Sequence, residues 1–334
     1  MDAILVTGGA GFVGLNLVEA LLARGEHVVV FGREAALPAP APTIFATLPG
    51  RIEVIQGDVQ DEAALRALFR DRRIGAVFPF AAVTAGPQRE AADPAFILDV
   101  NLKGVIATLA AARDAGTVRR VILPSSAAVY GESAYAHALL DETATPPVPI
   151  TLYGVTKYAV ERAGLRLAGQ WGLDAVAARI GATFGPWERD TGLRDTLSLH
   201  LALAEAARRG VSVTIPATPP AYDWVYARDL AAGLLALLDA RDPPHRVVNL
   251  ASGLDWAPHY PACLDALARA FPGFRWRHAA PGEAPTIRWN ETRNRGVMSN
   301  ARARDFGWHP RHSPAEAMAD YAAWLLASAN QGLP

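Results

Sequence analysis

Residues 3–14 read Ala3-Ile-Leu-Val-Thr-Gly-Gly-Ala-Gly-Phe-Val-Gly14. An apolar, β-branched run breaks into the spaced glycines Gly8, Gly11 and Gly14, and an apolar helical pattern begins at Phe12 and Val13. Small residues at this spacing permit a tight turn and let a pyrophosphate lie against the backbone at a helix N-terminus. A glycine triplet alone is weak evidence. Between a strand and a helix, at the head of a series of such units, it predicts a dinucleotide loop.

Outward from this loop, apolar runs at Ala3–Thr7, His27–Phe31, Arg51–Gln56, Ala76–Phe80 and Arg119–Pro124 alternate with helical patterns. That alternation predicts successive βαβ units and a doubly wound parallel α/β sheet of Rossmann type. A helix over Leu152–Trp171 leads to a sixth strand at Asp174–Ile180, and Val247–Ala251 offers a seventh. The segment Leu37–Gly50 carries four prolines and predicts a surface loop. Beyond Gly181 the pattern loosens around helices at Asp195–Arg209 and Pro314–Ala327, predicting a smaller α/β substrate domain. The expected division assigns residues 1–178 and about 222–255 to the sheet domain, and about 179–221 and 256–334 to the smaller one.

Composition narrows the partners. The 334 residues are 51% hydrophobic and 19% charged, enough for a large core, which excludes a disordered chain. A formal charge of −1 with no long basic run argues against nucleic acid. The lone Cys263 cannot form an internal disulfide, which predicts a reducing, cytoplasmic setting. The N-terminus lacks a basic leader and Ala231–Ala240 is too short to span a bilayer, so no membrane partner is expected. The eight histidines show no metal-ligand spacing, so no metal is expected.

The second strand ends Phe31-Gly32-Arg33. The acidic residue that usually bonds both ribose hydroxyls is replaced by Gly32, and the Arg33 guanidinium suits a 2′-phosphate. NADP is therefore the expected cofactor, with NAD as the alternative. Asp58-Val59, after the third strand, is placed to meet the adenine. Tyr153 and Lys157 share a helix face. A tyrosine that takes a proton near neutrality must lower its pKa of about 10 by roughly three units, about 4 kcal/mol. An ammonium roughly 4 Å away at an effective dielectric near 20 supplies about that much. The fifth strand delivers Ser126 to the carboxyl edge of the sheet, where ligands bind.

Together these residues resemble the extended short-chain dehydrogenase/reductase superfamily, in particular the NAD-dependent epimerase/dehydratase family typified by UDP-galactose 4-epimerase. TGGAGFVG is similar to its cofactor loop, Phe80-Ala81-Ala82 to its fourth-strand end, Asp99-Val100-Asn101 to its asparagine motif, and SSAAVYG and YGVTK to its serine and tyrosine-lysine motifs. GPW at Gly185, YDWVYARDL at Tyr222 and FGWHP at Phe306 are similar to markers of its substrate half. The resemblance implies Ser126 as holder of the substrate oxygen, Tyr153 as acid/base and Lys157 as its electrostatic partner. It further implies Asn101 as a helix or water anchor, Thr84 and Tyr222 as substrate contacts, and a homodimer in which Pro94–Arg113 and Leu152–Trp171 form a four-helix bundle.

Departures narrow the reaction. The dehydratases' Asp-Glu pair is replaced by Ala127 and Ala128, which removes the acid and base for dehydration, and Cys263 lies in the wrong part of the chain for the Cys-His pair of reductive epimerases. An asparagine and an arginine that grip a nucleotide diphosphate are replaced by Ala182 and Tyr222. Losing such an arginine removes about 1.5–3 kcal/mol of charge-assisted contact. Arg179-Ile-Gly-Ala-Thr-Phe resembles the matching segment of uronate dehydrogenases, which oxidise free sugar acids. Arg189 and Arg194 lie near the expected substrate mouth, either to clamp an anion or as a solvated loop with internal Arg-Asp pairs. Arg288, Arg293 and Arg295 form a further basic cluster that could replace the missing diphosphate contact. Three readings follow: a dehydrogenase or reductase acting on a sugar-like, anionic substrate; a nucleotide-sugar 4-epimerase that recycles its cofactor; and a regulatory NADP-binding protein.

Overall fold

The computed structural model describes residues 2–287, 289 and 292–329. Seven strands form one parallel sheet: β1 (Ala3–Thr7), β2 (His27–Gly32), β3 (Arg51–Gln56), β4 (Ile74–Pro79), β5 (Arg120–Ser126), β6 (Ala175–Ile180) and β7 (Val247–Leu250), in spatial order β7-β6-β5-β4-β1-β2-β3. The order reverses between β1 and β4, which opens a ligand crevice beyond their carboxyl ends. The helices of ten or more residues are α1 (Phe12–Ala23), α2 (Glu62–Asp71), α3 (Gly104–Ala115), α4 (Leu152–Trp171), α5 (Leu199–Arg208), α6 (Ala227–Asp239), α7 (Tyr260–Ala270) and α8 (Pro314–Ala329).

Period-two alternation decides which side chains meet which helices. Ile4, Val6, Val28 and Val30 face α1 and α6, whereas Leu5, Val29 and Phe31 face α2, α3 and α4. Leu5 and Val29 are fully buried, and each stabilises the fold by about 1.5–3 kcal/mol relative to exposure. A third core, rich in aromatic rings, gathers Phe184, Trp224, Tyr226, Trp256, Tyr260 and Tyr321 around α5, α7 and α8. The strand Trp224–Tyr226 pairs with Ala182–Phe184, so residues just beyond β6 and residues 42 positions later meet at the crevice.

Four local readings change. The proline-rich segment contains a helical turn, Ala41–Phe45, because Pro42 sits at its start, where no amide partner is needed, and Phe45 and Ala41 bury against α1. The helix expected over Pro94–Arg113 begins as Pro94–Leu98, passes through a π-turn at Asp99–Lys103 and continues as α3. The helix expected from Asp195 starts at Leu199 because the Ser198 hydroxyl caps the Leu201 amide. Strand β4 begins two residues early and β5 ends two residues later than expected, since pairing with their neighbours sets those limits.

Candidate active site

The glycine loop and the end of β4 meet too closely for side chains. Gly8 has φ +67°, and a Cβ there would stand 2.7 Å from the Ala81 Cα; one on Gly14 would stand 2.5 Å from the Gly8 carbonyl oxygen. The Thr7 hydroxyl accepts from the Ala81 amide at 3.1 Å, tying the loop to the fourth strand. The crevice beyond is a pocket of about 990 Å³, at the upper end of the roughly 300–1,000 Å³ usual for small-ligand sites.

Every expected cofactor and substrate residue lines this one pocket. The lining includes Arg33, Asp58 and Val59, the glycine-loop residues Gly8, Gly11, Phe12, Val13 and Gly14, and Phe80, Ala81 and Ala82. Thr84, Ser126, Tyr153, Lys157, Arg194 and Tyr222 surround the remainder, and Arg189 lines the pocket beside the glycine loop. Asn101 does not reach it: fully buried in the π-turn, its side chain exchanges hydrogen bonds with the Val83 backbone at 2.7 and 2.9 Å and donates to Thr156 Oγ1 at 3.2 Å. It therefore anchors the β4 loop to α4 from behind the site.

Ser126 closes β5 in extended conformation, and its Oγ accepts from the Ala128 amide at 3.2 Å, which fixes the rotamer. Helix α4 starts where the Thr151 side chain caps the Gly154 amide, so Tyr153 projects from the first turn toward Ser126. The Ser126 and Thr84 hydroxyls line the pocket with the Tyr153 phenol, and both act to lower its pKa. Burial nevertheless holds the Tyr153 pKa above its usual value, opposed by Ser126, Arg194 and Thr84. The sequence predicts that the Lys157 ammonium lowers it, with a cationic nicotinamide adding to that effect; the groups that act on the phenol here are Ser126, Arg194 and Thr84. The Lys157 Nζ lies 5.5 Å from the centroid of the Tyr153 ring, and burial pushes its own pKa down to about 8. Among the described cations it is Arg194, whose guanidinium also packs over the Phe12 ring, that acts on the phenol through space.

The turn carrying Ser126 is clamped on both sides. Ser125 donates to Glu161 at 2.9 Å, and Glu161, one helical turn beyond Lys157, takes two bonds of 2.8 Å from Arg179. Arg179 in turn lies under the Tyr130 ring, whose hydroxyl donates to Asn249 at 2.9 Å.

The arginines divide by function of position. Arg194 pairs at 3.1 Å with the buried Glu188, which also caps the start of α5 through Ser198. Arg295 donates to the Tyr222 hydroxyl at 3.0 Å and lies between the Tyr222 and Tyr135 rings at the pocket wall. Arg293 is exposed, stacked on Tyr135 and paired with Glu132, and Arg288 lies outside the described residues. Arg189 does not face the substrate mouth; it reaches the glycine loop and donates to the Ala10 carbonyl at 2.9 Å.

A family model, the NAD dependent epimerase/dehydratase family, matches residues 4–251. The chain belongs to that family. UDP-glucose 4-epimerase of Streptomyces lividans is 31% identical over 267 residues, 75% of each chain. D-erythronate dehydrogenase of Cupriavidus necator is 40% identical over 159 residues, 46% of this chain and 47% of that one. Among solved structures, MoeE5 in complex with UDP-glucuronic acid and NAD superimposes with a TM-score of 0.76 at 26% identity, covering 98% of this chain and all of that one.

For this epimerase/dehydratase-family chain, the NADP preference expected from Gly32 and Arg33 finds no support in these relatives. Glu34 folds back so that its Oε2 would stand 3.2 Å from a Cβ on Gly32, bringing a carboxylate to the place the sequence left without one. Arg33 instead turns its guanidinium toward the Phe96 ring, 5.6 Å from the centroid. Glu34 was missed because it stands two positions beyond the strand-end slot; its proximity in sequence was the only signal. Arg295 had a signal in its basic cluster, whereas the buried Glu188 and Glu161 gave none that separates them from surface carboxylates.

Proposed function

We propose that this protein is an NAD-dependent oxidoreductase that moves hydride between the nicotinamide and a secondary alcohol or ketone of a sugar-like, anionic substrate. The observation that carries the reading is the convergence of the Ser126, Thr84 and Tyr153 hydroxyls in the pocket, below an arginine at its wall. Arg295 pairs with no carboxylate among the described residues, so it is available to an anionic group of the substrate. The glycine-loop amides, Asp58 and Val59 hold the dinucleotide, and Glu34 accepts from the ribose hydroxyls, which favours NAD and repels a 2′-phosphate. When bound, that cofactor supplies the hydride acceptor or donor. Ser126 orients the substrate oxygen, Tyr153 takes or gives its proton, and Lys157, when charged, favours the tyrosinate. Ala127 and Ala128 offer no acid or base for loss of water.

The similarity to D-erythronate dehydrogenase favours a free sugar acid. The broader similarity to UDP-glucose 4-epimerase favours a second reading, a nucleotide-sugar 4-epimerase with a retained cofactor. The intact Ser126, Tyr153 and Lys157 count against a purely regulatory protein. Denaturing freshly purified protein and identifying the released nucleotide, followed by a panel of aldonates, uronates and UDP-hexoses, tests both. Exchangeable NAD with NADH formed from a sugar acid is the expected result. Stoichiometric retained NAD with interconversion of UDP-hexoses establishes the epimerase instead, and reaction of neutral sugars alone sinks the anion reading.

The homodimer is part of the same proposal. Leu98 and Val155 are exposed on the two helical segments expected to form the four-helix bundle, consistent with a partner that covers them. Light scattering at micromolar concentration should give twice the chain mass, and a monomer mass rejects the dimer.

A further inference from the structure

The segment after Ala182–Phe184 leaves the substrate side and is fastened to the first helix of the cofactor side. Asn16 of α1 donates to the Pro186 carbonyl at 2.8 Å, and the Trp187 indole donates to Glu19 of α1 at 2.6 Å. Trp187 is buried between Phe45 and Trp324, with ring centroids at 5.5 and 5.2 Å. Its backbone is left-handed, at φ +68°, a conformation that bulky residues seldom adopt. Four contacts and an unfavourable backbone thus serve to bring the next residues, Glu188 and Arg189, to fixed places. Glu188 is consumed by Arg194 and Ser198.

Arg189 is not consumed. Of its five N–H donors, one is used, by Nη2 on the Ala10 carbonyl within the glycine loop, and Nη1 has no hydrogen-bond partner. It forms no ion pair among the described residues; the one carboxylate whose field acts on it is Glu34, across the pocket's adenosine end. It lines the same pocket as Gly11, Phe12 and Val13, the residues at the helix N-terminus where phosphate binds best. A planar guanidinium with spare donors beside those amides matches two phosphate oxygens.

We propose that Arg189 is a cofactor-binding residue that closes over the diphosphate of the dinucleotide from the substrate side of the cleft. Glu34, at the ribose, makes the bridging diphosphate the favoured partner over a 2′-phosphate. The proposal rests on the reading of this cleft as the dinucleotide site.

Titration calorimetry of NAD+, ADP-ribose, NADP+ and adenosine against wild type, Arg189→Ala and Arg189→Lys tests it without any substrate. The expected result is at least a tenfold loss of affinity for NAD+ and ADP-ribose alike in R189A, less than twofold for adenosine, and a partial recovery in R189K. An unchanged affinity for NAD+, or an equal loss for adenosine, overturns the assignment. A loss confined to NADP+ overturns it too, by moving Arg189 to a 2′-phosphate. Wild-type protein that binds no dinucleotide overturns the reading of the cleft itself, whereas wild-type binding with R189A unaffected overturns this inference alone. A melting temperature for R189A close to wild type shows that the affinity change is local.

Discussion

Tyr153→Phe should lower turnover by about 100- to 10,000-fold while leaving NAD affinity within a factor of about two, the range expected for removing a positioned acid/base. The substitution deletes one oxygen and keeps the ring that flanks Lys157 and walls the pocket. What is lost is the hydroxyl on which Ser126 and Thr84 act. Because burial holds the Tyr153 proton, the proposed reaction depends on positive charge nearby: Arg194 acts on the phenol, and Lys157, its pKa pushed down to about 8 by burial, contributes as an ammonium only below that pH. A pH profile of turnover should therefore change slope near pH 8 in the wild type and lose that feature in Lys157→Met. Steady-state kinetics on the substrate found by the panel provides the measurement, and a Tyr153→Phe variant with wild-type turnover removes the tyrosine from the mechanism.

Glu161→Gln should cost about 3–5 kcal/mol of stability, because it leaves Arg179 charged and buried with no counter-ion. The side chains of Glu161 and Arg179 are 1% and 3% exposed and share two bonds of 2.8 Å, so neither can turn to water. The melting temperature should fall by on the order of 5–10 °C. Replacing both partners, Glu161→Leu with Arg179→Met, should recover much of the loss, since an apolar pair of similar volume avoids the desolvation that the ion pair has to offset. A Glu161→Gln protein that melts within 1 °C of wild type contradicts this account. Ser125→Ala removes only the hydroxyl that donates to Glu161 and should cost far less, about 1 kcal/mol.

Much of this molecule is written locally. The loop Thr7–Gly14, the alternation Ile4, Leu5, Val6 and the helix Leu152–Trp171 are legible because each depends on neighbours in sequence: glycines that tolerate close approach, a two-residue pleat, a threonine cap at Thr151 and a left-handed Gly172 at the far end. From those elements follow the parallel sheet, the switch point and the convergence of Ser126, Tyr153 and Lys157, since topology carries strand ends and a helix start to one edge.

What the sequence could not decide are the properties set by burial and by contacts between distant segments. Glu34 comes beside Gly32 only because the chain after β2 folds back over it, and Arg189 reaches the glycine loop only because Asn16 and Glu19 hold a segment 170 and 168 residues away. Asn101 left the pocket because a π-turn, stabilised by Val83 and Thr156, turned it inward. The charge state around Tyr153 belongs to the same class. The spacing to Lys157 is a local fact, but the cost of burying both groups is a tertiary one, and that cost, rather than their distance along the helix, sets the direction in which each proton is held.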